Sequence, residues 1–321
     1  MHILVTGGTG LIGRALVKSL LLDGHVITVF TRQRLRSEER IRYVQKLKEI
    51  PQDLDAVVNL AGAGLADRRW SERYKREILS SRIAFTRDLI EHLTQIGMPK
   101  VFVSGSAIGF YGESDSASFT ETDSKGSGFS AELCANWEAE AQKAASEHTR
   151  VVLLRTGVVL EANGGAYPQM TQSFKLGVSS WMGRGRHWLS WIHIDDMVSA
   201  IRFCLDHEQL RGPVNMTAPE PVTHRAFAAA VEACSSTWLK LGVPAPVMRV
   251  MLGEMAHELL LTVTRPGSTN ATRPALPGSR ELRGGARLTE ERATASASPP
   301  STALACRRWT SDPTTAIVGT T

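Results

Sequence analysis

The sequence has few cysteines, and none of them is spaced for binding a metal. The 321 residues include four, Cys134, Cys204, Cys234 and Cys306, and no two of them form a CxxC pair. Thiolate metal sites need closely spaced cysteines, so we predict no metal site. We predict instead that these cysteines are reduced thiols of a cytoplasmic protein.

Long hydrophobic runs are also absent. No run of about 18 or more apolar residues occurs, whereas a membrane-spanning helix needs about 20. The first residues lack the basic region and the small-residue cleavage site of a secretory signal. We therefore predict a cytoplasmic protein with no membrane contact. The hydrophobic fraction of 42% is sufficient for a full globular core.

The net positive charge is small outside the C-terminal segment. Of the net charge of +5, residues 263–321 contribute +4, with eight arginines against four acids. The remainder is nearly neutral, so we predict no nucleic-acid partner. Segment 263–321 also has six of the fourteen prolines, no lysine and no apolar period. Such a composition predicts a poorly ordered tail.

Three glycines near the start of the chain join an apolar run to a helical pattern, in the order MHILVTGGTGLIG. A strand that turns through glycines into a helix places backbone N–H groups and a helix N-terminus at one point, which suits a dinucleotide pyrophosphate. Gly7 permits the tight turn, Gly10 lets the phosphates approach, and Gly13 lets the helix pack against the strand. The spacing G-x-x-G-x-x-G differs from the commoner G-x-G-x-x-G. The predicted cofactor contacts here are Gly7, Thr9, Gly10, Leu11, Ile12 and Gly13.

The next predicted strand, Val26–Phe30, is followed by Thr31 and Arg32, with no acid before Glu38. An acid at this position binds the ribose hydroxyl of NAD, whereas an arginine accommodates the 2′-phosphate of NADP. We predict NADP rather than NAD, with Thr31 and Arg32 in the cofactor site. The alternative is that Arg32 is a solvated side chain on a loop.

Strands and helices alternate further along the chain. Predicted strands at 55–62, 101–106 and 150–154 are separated by predicted helices at 71–97 and 129–148. This order predicts an α/β fold, a Rossmann-like doubly wound parallel sheet. Small residues at the ends of two strands leave room for a ligand across the sheet edge. They add Leu60, Ala61, Gly62 and Ser104 to the predicted cofactor site.

We predict three regions along the chain. Residues 1–160 form the dinucleotide-binding domain, and residues 161–262 form a smaller substrate lobe interleaved with it. That lobe includes a predicted helix from Pro244 to Leu261 and a second helix that Thr223 caps. Residues 263–321 form the tail.

Several motifs together resemble the extended short-chain dehydrogenase/reductase superfamily. They are TGGTGLIG at 6–13, NLAG at 59–62, SGSAIGFYG at 104–112, LRTGVVL at 154–160 and WIHIDDM at 191–197. A narrower set of motifs consists of NLAG at 59–62, Arg69-Trp70, Ser81-Arg82, Leu133-Cys134 with Trp137-Glu138, and GRGRHWLSWIHIDD at 183–196. With these motifs, residues 1–261 resemble the YfcH-like epimerase-family proteins, which are named as nucleoside-diphosphate-sugar epimerases by analogy. The resemblance implies epimerase or oxidoreductase chemistry on a small molecule of the nucleoside-diphosphate-sugar class. It also implies a homodimer formed through helices that flank the sheet.

The C-terminal segment departs from this family. Family members continue past a sequence like Glu258–Thr262 with a Gly-Gln-Arg stretch and a closing strand and helix, and no such stretch follows here. An arginine-rich, lysine-free tail is what a reading-frame change in a GC-rich gene produces, and we state this as a hypothesis. Resequencing codons 258–266 tests it, because an intact frame would make the tail a genuine extension.

The chain also lacks the Tyr-x-x-x-Lys pair with which the superfamily transfers a proton. Four residues after its four tyrosines stand Leu47, Ile78, Asp115 and Thr171. On the helix that normally has the pair, the corresponding positions are Ser130 and Cys134. Neither replaces a tyrosinate–ammonium pair near neutral pH.

Three residues remain as candidates for chemistry. The resemblance implies that Ser106 binds a substrate hydroxyl. Tyr111 is either an alternative proton donor or a buried ring that packs under a loop. Arg155 follows a strand and is expected to face the cleft and bind an anionic substrate. The competing function is that of an NADP-binding regulatory or interaction protein that has lost catalysis.

Overall fold

The computed structural model describes residues 1–112, 118–244, 246–247, 253–254 and 265–266. The predicted helix over 244–261 and the predicted tail over 263–321 lie almost wholly outside these residues. Within the described part of the chain, no helix combines the length and hydrophobicity needed to cross a membrane.

The described strands are numbered in chain order. They are β1 (His2–Thr6), β2 (Val26–Phe30), β3 (Ile41–Val44), β4 (Ala56–Asn59), β5 (Val101–Ala107), β6 (Ser118–Phe119), β7 (Arg150–Thr156), β8 (Val158–Glu161), β9 (Gly164–Gly165), β10 (Val178–Met182), β11 (Trp188–Leu189), β12 (Trp191–His193), β13 (Gly212–Met216), β14 (Val222–Thr223), β15 (Leu239–Val243) and β16 (Arg265–Pro266).

The described α-helices are numbered in the same way. They are α1 (Leu11–Leu22), α2 (Glu72–Leu79), α3 (Phe85–Ile96), α4 (Phe129–Gln142), α5 (Ala166–Met170), α6 (Ile194–Asp206) and α7 (His224–Glu232). Short 3₁₀ turns lie at Leu47–Glu49, Ile108–Tyr111 and Phe174–Leu176.

Seven strands form one sheet in the order β13-β7-β5-β4-β1-β2-β3. Every neighbouring pair in it is parallel. The order reverses at β1, so the carboxyl ends of β1 and β4 flank the crevice where doubly wound sheets bind ligands. The predicted doubly wound parallel sheet is confirmed.

Helices cover both faces of the sheet because successive strand residues point to opposite sides. On one face, Ile3 and Val5 of β1 pack in a core with Leu16 of α1 and Ile201 of α6. The intervening Leu4 packs on the other face in a core with α3 and α4 residues. These strands are apolar on both faces, as expected for a parallel sheet between two helix layers.

Two predicted helices have different bounds in the structure. The one expected over 71–97 is α2 and α3 joined by a π-helical turn, Ser80–Ala84. The one expected over 129–148 ends at Gln142. Strand β3 lies in the segment between β2 and β4, for which no strand was predicted.

The region after β7 contributes both to the main sheet and to a smaller lobe. Strand β13 returns to the main sheet beside β7. The lobe has its own core, in which Trp191 and Phe174 pack with Phe227 of α7. The Thr223 hydroxyl accepts a hydrogen bond from the Ala226 N–H, so the predicted cap of α7 is confirmed. The division at residue 160 stays a prediction.

Candidate functional site

Polar side chains line up along the carboxyl edge of the main sheet. Register pairs Thr6 of β1 with Asn59 of β4, and Asn59 with Ser104 of β5. The Thr6 hydroxyl donates to Asn59 Oδ1 (2.7 Å) and accepts a hydrogen bond from the Ala61 N–H (3.1 Å). Asn59 Nδ2 donates to Thr86 Oγ1 (2.9 Å) and more weakly to Ser104 Oγ (3.4 Å). This buried network holds the start of the 60–62 loop in place.

The glycine loop has the close approaches that its sequence predicts. Gly7 has a positive φ of 67°, and a Cβ there would lie 2.6 Å from the Leu60 carbonyl oxygen. A Cβ on Gly13 would collide with the Gly7 carbonyl oxygen. Gly10 is exposed and precedes α1, where no side chain caps the helix. The loop is therefore a concave backbone surface at a helix N-terminus, which suits an anion.

The predicted 2′-phosphate residues follow β2 beside this loop. Thr31 is buried, and its hydroxyl lies 3.4 Å from that of Thr9. Arg32 is exposed. A cavity of about 510 Å³ flanks the loop, and its lining includes Thr9, Gln33 and the cations Arg14, Lys18 and Arg40. This side of the loop has positive charge and space for a phosphate.

The other predicted cofactor residues lie next to the loop at different depths. Leu60 and Ala61 are half-buried, and Gly62 is exposed at the end of the run. Ser104 is fully buried and its polar contacts are within the protein. Its position under the sheet edge differs from the expected place on the ligand surface, and its cofactor contact stays a prediction.

Ser106 is part of a buried charged cluster. Its hydroxyl donates to Glu138 Oε1 of α4 at 2.6 Å. The same carboxylate accepts two hydrogen bonds from Arg155, at 2.9 and 3.0 Å. Parallel register places Ser106 beside Arg155 on adjacent strands. Glu138 therefore fixes both the Ser106 hydroxyl and the Arg155 guanidinium.

Arg155 differs from the expectation of a cleft-facing anion receptor. It is 4% exposed, and its remaining contacts are with the Tyr111 hydroxyl, the Glu121 carbonyl and the face of the Phe110 ring. The burial of the guanidinium was not predicted, because the partner carboxylate lies on α4 and the sequence of the strand does not reveal it. Binding of substrate by Arg155 stays a prediction.

Tyr111 is a buried ring, as one of the two sequence interpretations has it. It is 2% exposed, stacks on Phe119 and donates to Asn215 Oδ1 at 2.6 Å. Burial raises its pKa above the ordinary value, although the hydrogen bond with Arg155 acts in the opposite direction. Its hydroxyl hydrogen is already donated within the protein, which disfavours the proton-donor interpretation.

The positions of the missing Tyr-x-x-x-Lys pair lie on the inner face of α4. Ser130 and Cys134 are both buried. Burial, with a smaller contribution from the charge of Glu138, raises the pKa of the Cys134 thiol to about 11. The thiol is protonated near neutral pH and replaces neither the acid nor the cation of the pair. No cluster of three or more metal-binding side chains occurs among the described residues.

Comparison with known proteins identifies this arrangement. The model of the NAD dependent epimerase/dehydratase family matches residues 3–216. The chain belongs to this family. The Arabidopsis thaliana epimerase family protein SDR39U1 homolog, chloroplastic, is 38% identical over 273 residues, covering 81% of this chain and 78% of that protein.

Two solved structures are similar to this epimerase-family chain in both sequence and fold. Human epimerase family protein SDR39U1 (isoform 2), solved with NADPH, is 31% identical, with a TM-score of 0.73 over 83% of this chain and 90% of the human chain. The nucleoside-diphosphate sugar epimerase from Corynebacterium glutamicum is 29% identical, with a TM-score of 0.65 over 83% of this chain and 53% of that one. The predicted family resemblance is confirmed.

The sequence of this epimerase-family chain predicted no role for four residues of the site. Glu138 lies one turn after Cys134 on α4, and this spacing places both on the inward face of the helix. Glu121 and Asn215 complete the Tyr111 and Arg155 contacts from distant segments. Arg82, on the π turn, touches Gly62. No local pattern indicates these pairings, because their partners are remote in sequence.

Proposed function

We propose that this chain binds NADP along the glycine loop and acts as an epimerase or oxidoreductase on a nucleoside-diphosphate-sugar-like small molecule. The observation that carries the cofactor assignment is the backbone cradle at Gly7 and Gly13, which a Cβ would fill. Arg32 beside it supports NADP over NAD, as does the human relative solved with NADPH. The relative from Corynebacterium supports the substrate class.

Gly7 to Gly13 would hold the pyrophosphate, and Thr31 and Arg32 the 2′-phosphate, while Leu60 to Gly62 would line the adjoining ribose. When bound, the nicotinamide ring supplies hydride acceptance and return. Proton movement is left to the chain's own side chains.

Ser106 is the candidate for contacting a reacting hydroxyl. Because its hydrogen is donated to Glu138, its oxygen lone pairs are oriented to accept a hydrogen bond from substrate. A proton leaving the substrate hydroxyl would pass to Ser106 Oγ as the Ser106 proton passes to Glu138 Oε1. Because both carboxylate oxygens of Glu138 already accept hydrogen bonds from Arg155, we expect this relay to be slower than a Tyr-x-x-x-Lys pair.

The second candidate is a cofactor-binding regulatory protein without catalysis. The protonated Cys134 at the place of the lysine favours it. Both candidates share the NADP site, and only the first requires turnover. A cytoplasmic location and a homodimer are further predictions for either candidate.

Tryptophan-fluorescence titration with NADPH and NADH tests the cofactor. We expect NADPH to bind more tightly and Arg32→Ala to weaken NADPH binding by about tenfold, the size of one charge-assisted hydrogen bond, with NADH unchanged. Arg211→Ala, at an exposed arginine before β13, is the matched control. Equal affinities for the two cofactors, both insensitive to Arg32→Ala, would exclude the NADP assignment.

A second experiment separates the enzyme from the regulator. The chain is incubated with NADP and a panel of UDP-sugars, and products are resolved by NMR. Turnover that Ser106→Ala lowers by about a hundredfold or more supports the enzyme, with the exposed Ser199→Ala as control. NADPH binding without turnover of any sugar supports the regulator.

A further inference from the structure

Arg82 occupies an unusual position between the predicted cofactor edge and helix α4. It lies on the π-helical turn Ser80–Ala84, and such turns often mark functional sites. Its guanidinium lies 5.3 Å from the Trp137 ring centroid. A Cβ on Gly62 would be 2.7 Å from the Arg82 Cζ, so the absence of a side chain at 62 leaves the space that the guanidinium fills.

The guanidinium has no carboxylate partner within the described part of the chain. Its hydrogen bond there is a long one, from Nη1 to the Ile78 carbonyl at 3.5 Å. Burial lowers its pKa from the ordinary value of an arginine. An arginine remains charged even so. Arg155, by contrast, has two hydrogen bonds to Glu138.

A charge partly removed from water without a counter-charge is costly, and an anionic ligand offsets that cost. The planar fork of a guanidinium matches the two oxygens of a carboxylate or phosphate. Arg82 therefore has the chemistry of an oxyanion receptor.

The surroundings indicate which anion it meets. One neighbour is Gly62, at the end of the loop that adjoins the glycine turn. Another is Trp137, whose ring also packs against the backbone of Gly105, the residue before Ser106. Arg82 thus lies beyond the pyrophosphate loop, on the side of the cleft toward Ser106.

We propose that Arg82 binds a carboxylate or phosphate group of the substrate in the part of the cleft next to Ser106. This rests on the proposed function, because it assigns a substrate group to the same cleft. The same oxyanion chemistry has a second source, the pyrophosphate of the dinucleotide, and the experiment separates the two.

The test follows the indole N–H resonance of Trp137 in the full chain, assigned with Trp137→Phe, while inorganic phosphate is added in the presence of saturating NADPH. We expect a saturable shift in the wild type. The apparent Kd for phosphate is expected to rise at least about tenfold in Arg82→Gln, because a charge-assisted interaction is lost. Arg82→Lys, which keeps the charge and loses the fork, is expected to be intermediate. Arg76→Gln, at an exposed arginine on α2, is expected to match the wild type.

Two outcomes would overturn the proposal. The first is phosphate binding that Arg82→Gln leaves unchanged. The second is phosphate binding that NADPH abolishes while Arg82→Gln weakens NADPH itself, which assigns the guanidinium to the cofactor. If Arg82→Gln does not fold, an Arg82→Lys titration identical to the wild type overturns the proposal equally. Failure of NADPH binding in the wild type would count against the proposed function alone, because phosphate titration of the free chain still tests Arg82.

Discussion

The Ser106 hydroxyl donates to Glu138 Oε1 at 2.6 Å. This hydrogen bond joins the residue proposed to bind substrate to the buried Glu138–Arg155 ion pair. The cluster has both a structural and a chemical consequence. Glu138 and Arg155 are each less than 10% exposed, so neither charge has water as an alternative partner.

Breaking this pair from one side is expected to destabilise the protein strongly. Glu138→Leu and Arg155→Leu each leave one uncompensated buried charge, which costs about 3–5 kcal/mol in the free energy of unfolding. The double variant is expected to lose much less than the sum. Urea denaturation measures all three, and additive losses would show that the two charges do not interact.

The glycine loop gives a prediction with an internal control. Gly13→Ala places a methyl group against the Gly7 carbonyl, and such backbone overpacking is expected to cost about 1–3 kcal/mol. Gly10→Ala has only one neighbour, the Gly7 oxygen at 3.2 Å, so its unfolding free energy is expected to be near that of the wild type. NADPH affinity should fall in both variants. A Gly10→Ala variant with unchanged NADPH affinity would contradict the close approach of phosphate at this residue.

Tyr111→Phe separates a packing role from proton donation. Asn215 Oδ1 loses a buried donor, which is expected to cost about 1–2 kcal/mol in unfolding free energy. If the enzyme turns over a sugar, the rate is expected to change by no more than a few-fold. A loss of about a hundredfold or more in a folded variant would instead identify Tyr111 as a general acid or base.

The buried His224 is expected to lower the free energy of unfolding in mild acid. Burial, with a smaller contribution from His187, lowers the pKa of His224 from 6.5 to about 4. The unfolded chain therefore takes up a proton below about pH 6.5 that the folded chain resists until about pH 4. Stability is complete above the unfolded pKa and decreases as the pH falls toward the folded one, by about 3 kcal/mol for this group.

The measurement is the unfolding free energy of wild type and His224→Gln at several pH values from 7 to 4. The difference between the two proteins should shrink as the pH falls, because only the wild type pays to keep this histidine neutral. A difference independent of pH would show that His224 titrates normally in the folded protein.

Local sequence determined the cofactor side of this protein. The glycine spacing, the apolar runs and the arginine after β2 act within a few residues of one another, so chain order alone was enough to predict the strand–turn–helix unit and the parallel sheet. The absence of a Tyr-x-x-x-Lys pair was also evident from the sequence, because none of the four tyrosines is followed by a lysine four residues later. The π turn was not predicted, since its helical period differs little from that of the helices on either side.

Only the tertiary structure decided which charges are paired. Arg155 and Glu138 lie 17 residues apart on different elements, and Ser106 and Glu138 lie 32 apart. Sheet register and helix packing bring them together, so an arginine expected in the cleft became a buried partner. The same packing left Arg82, for which the sequence predicted no role, beside Gly62 without a described counter-charge. Pairing of charge is a property of neighbours in space, and desolvation makes it decisive for both stability and chemistry.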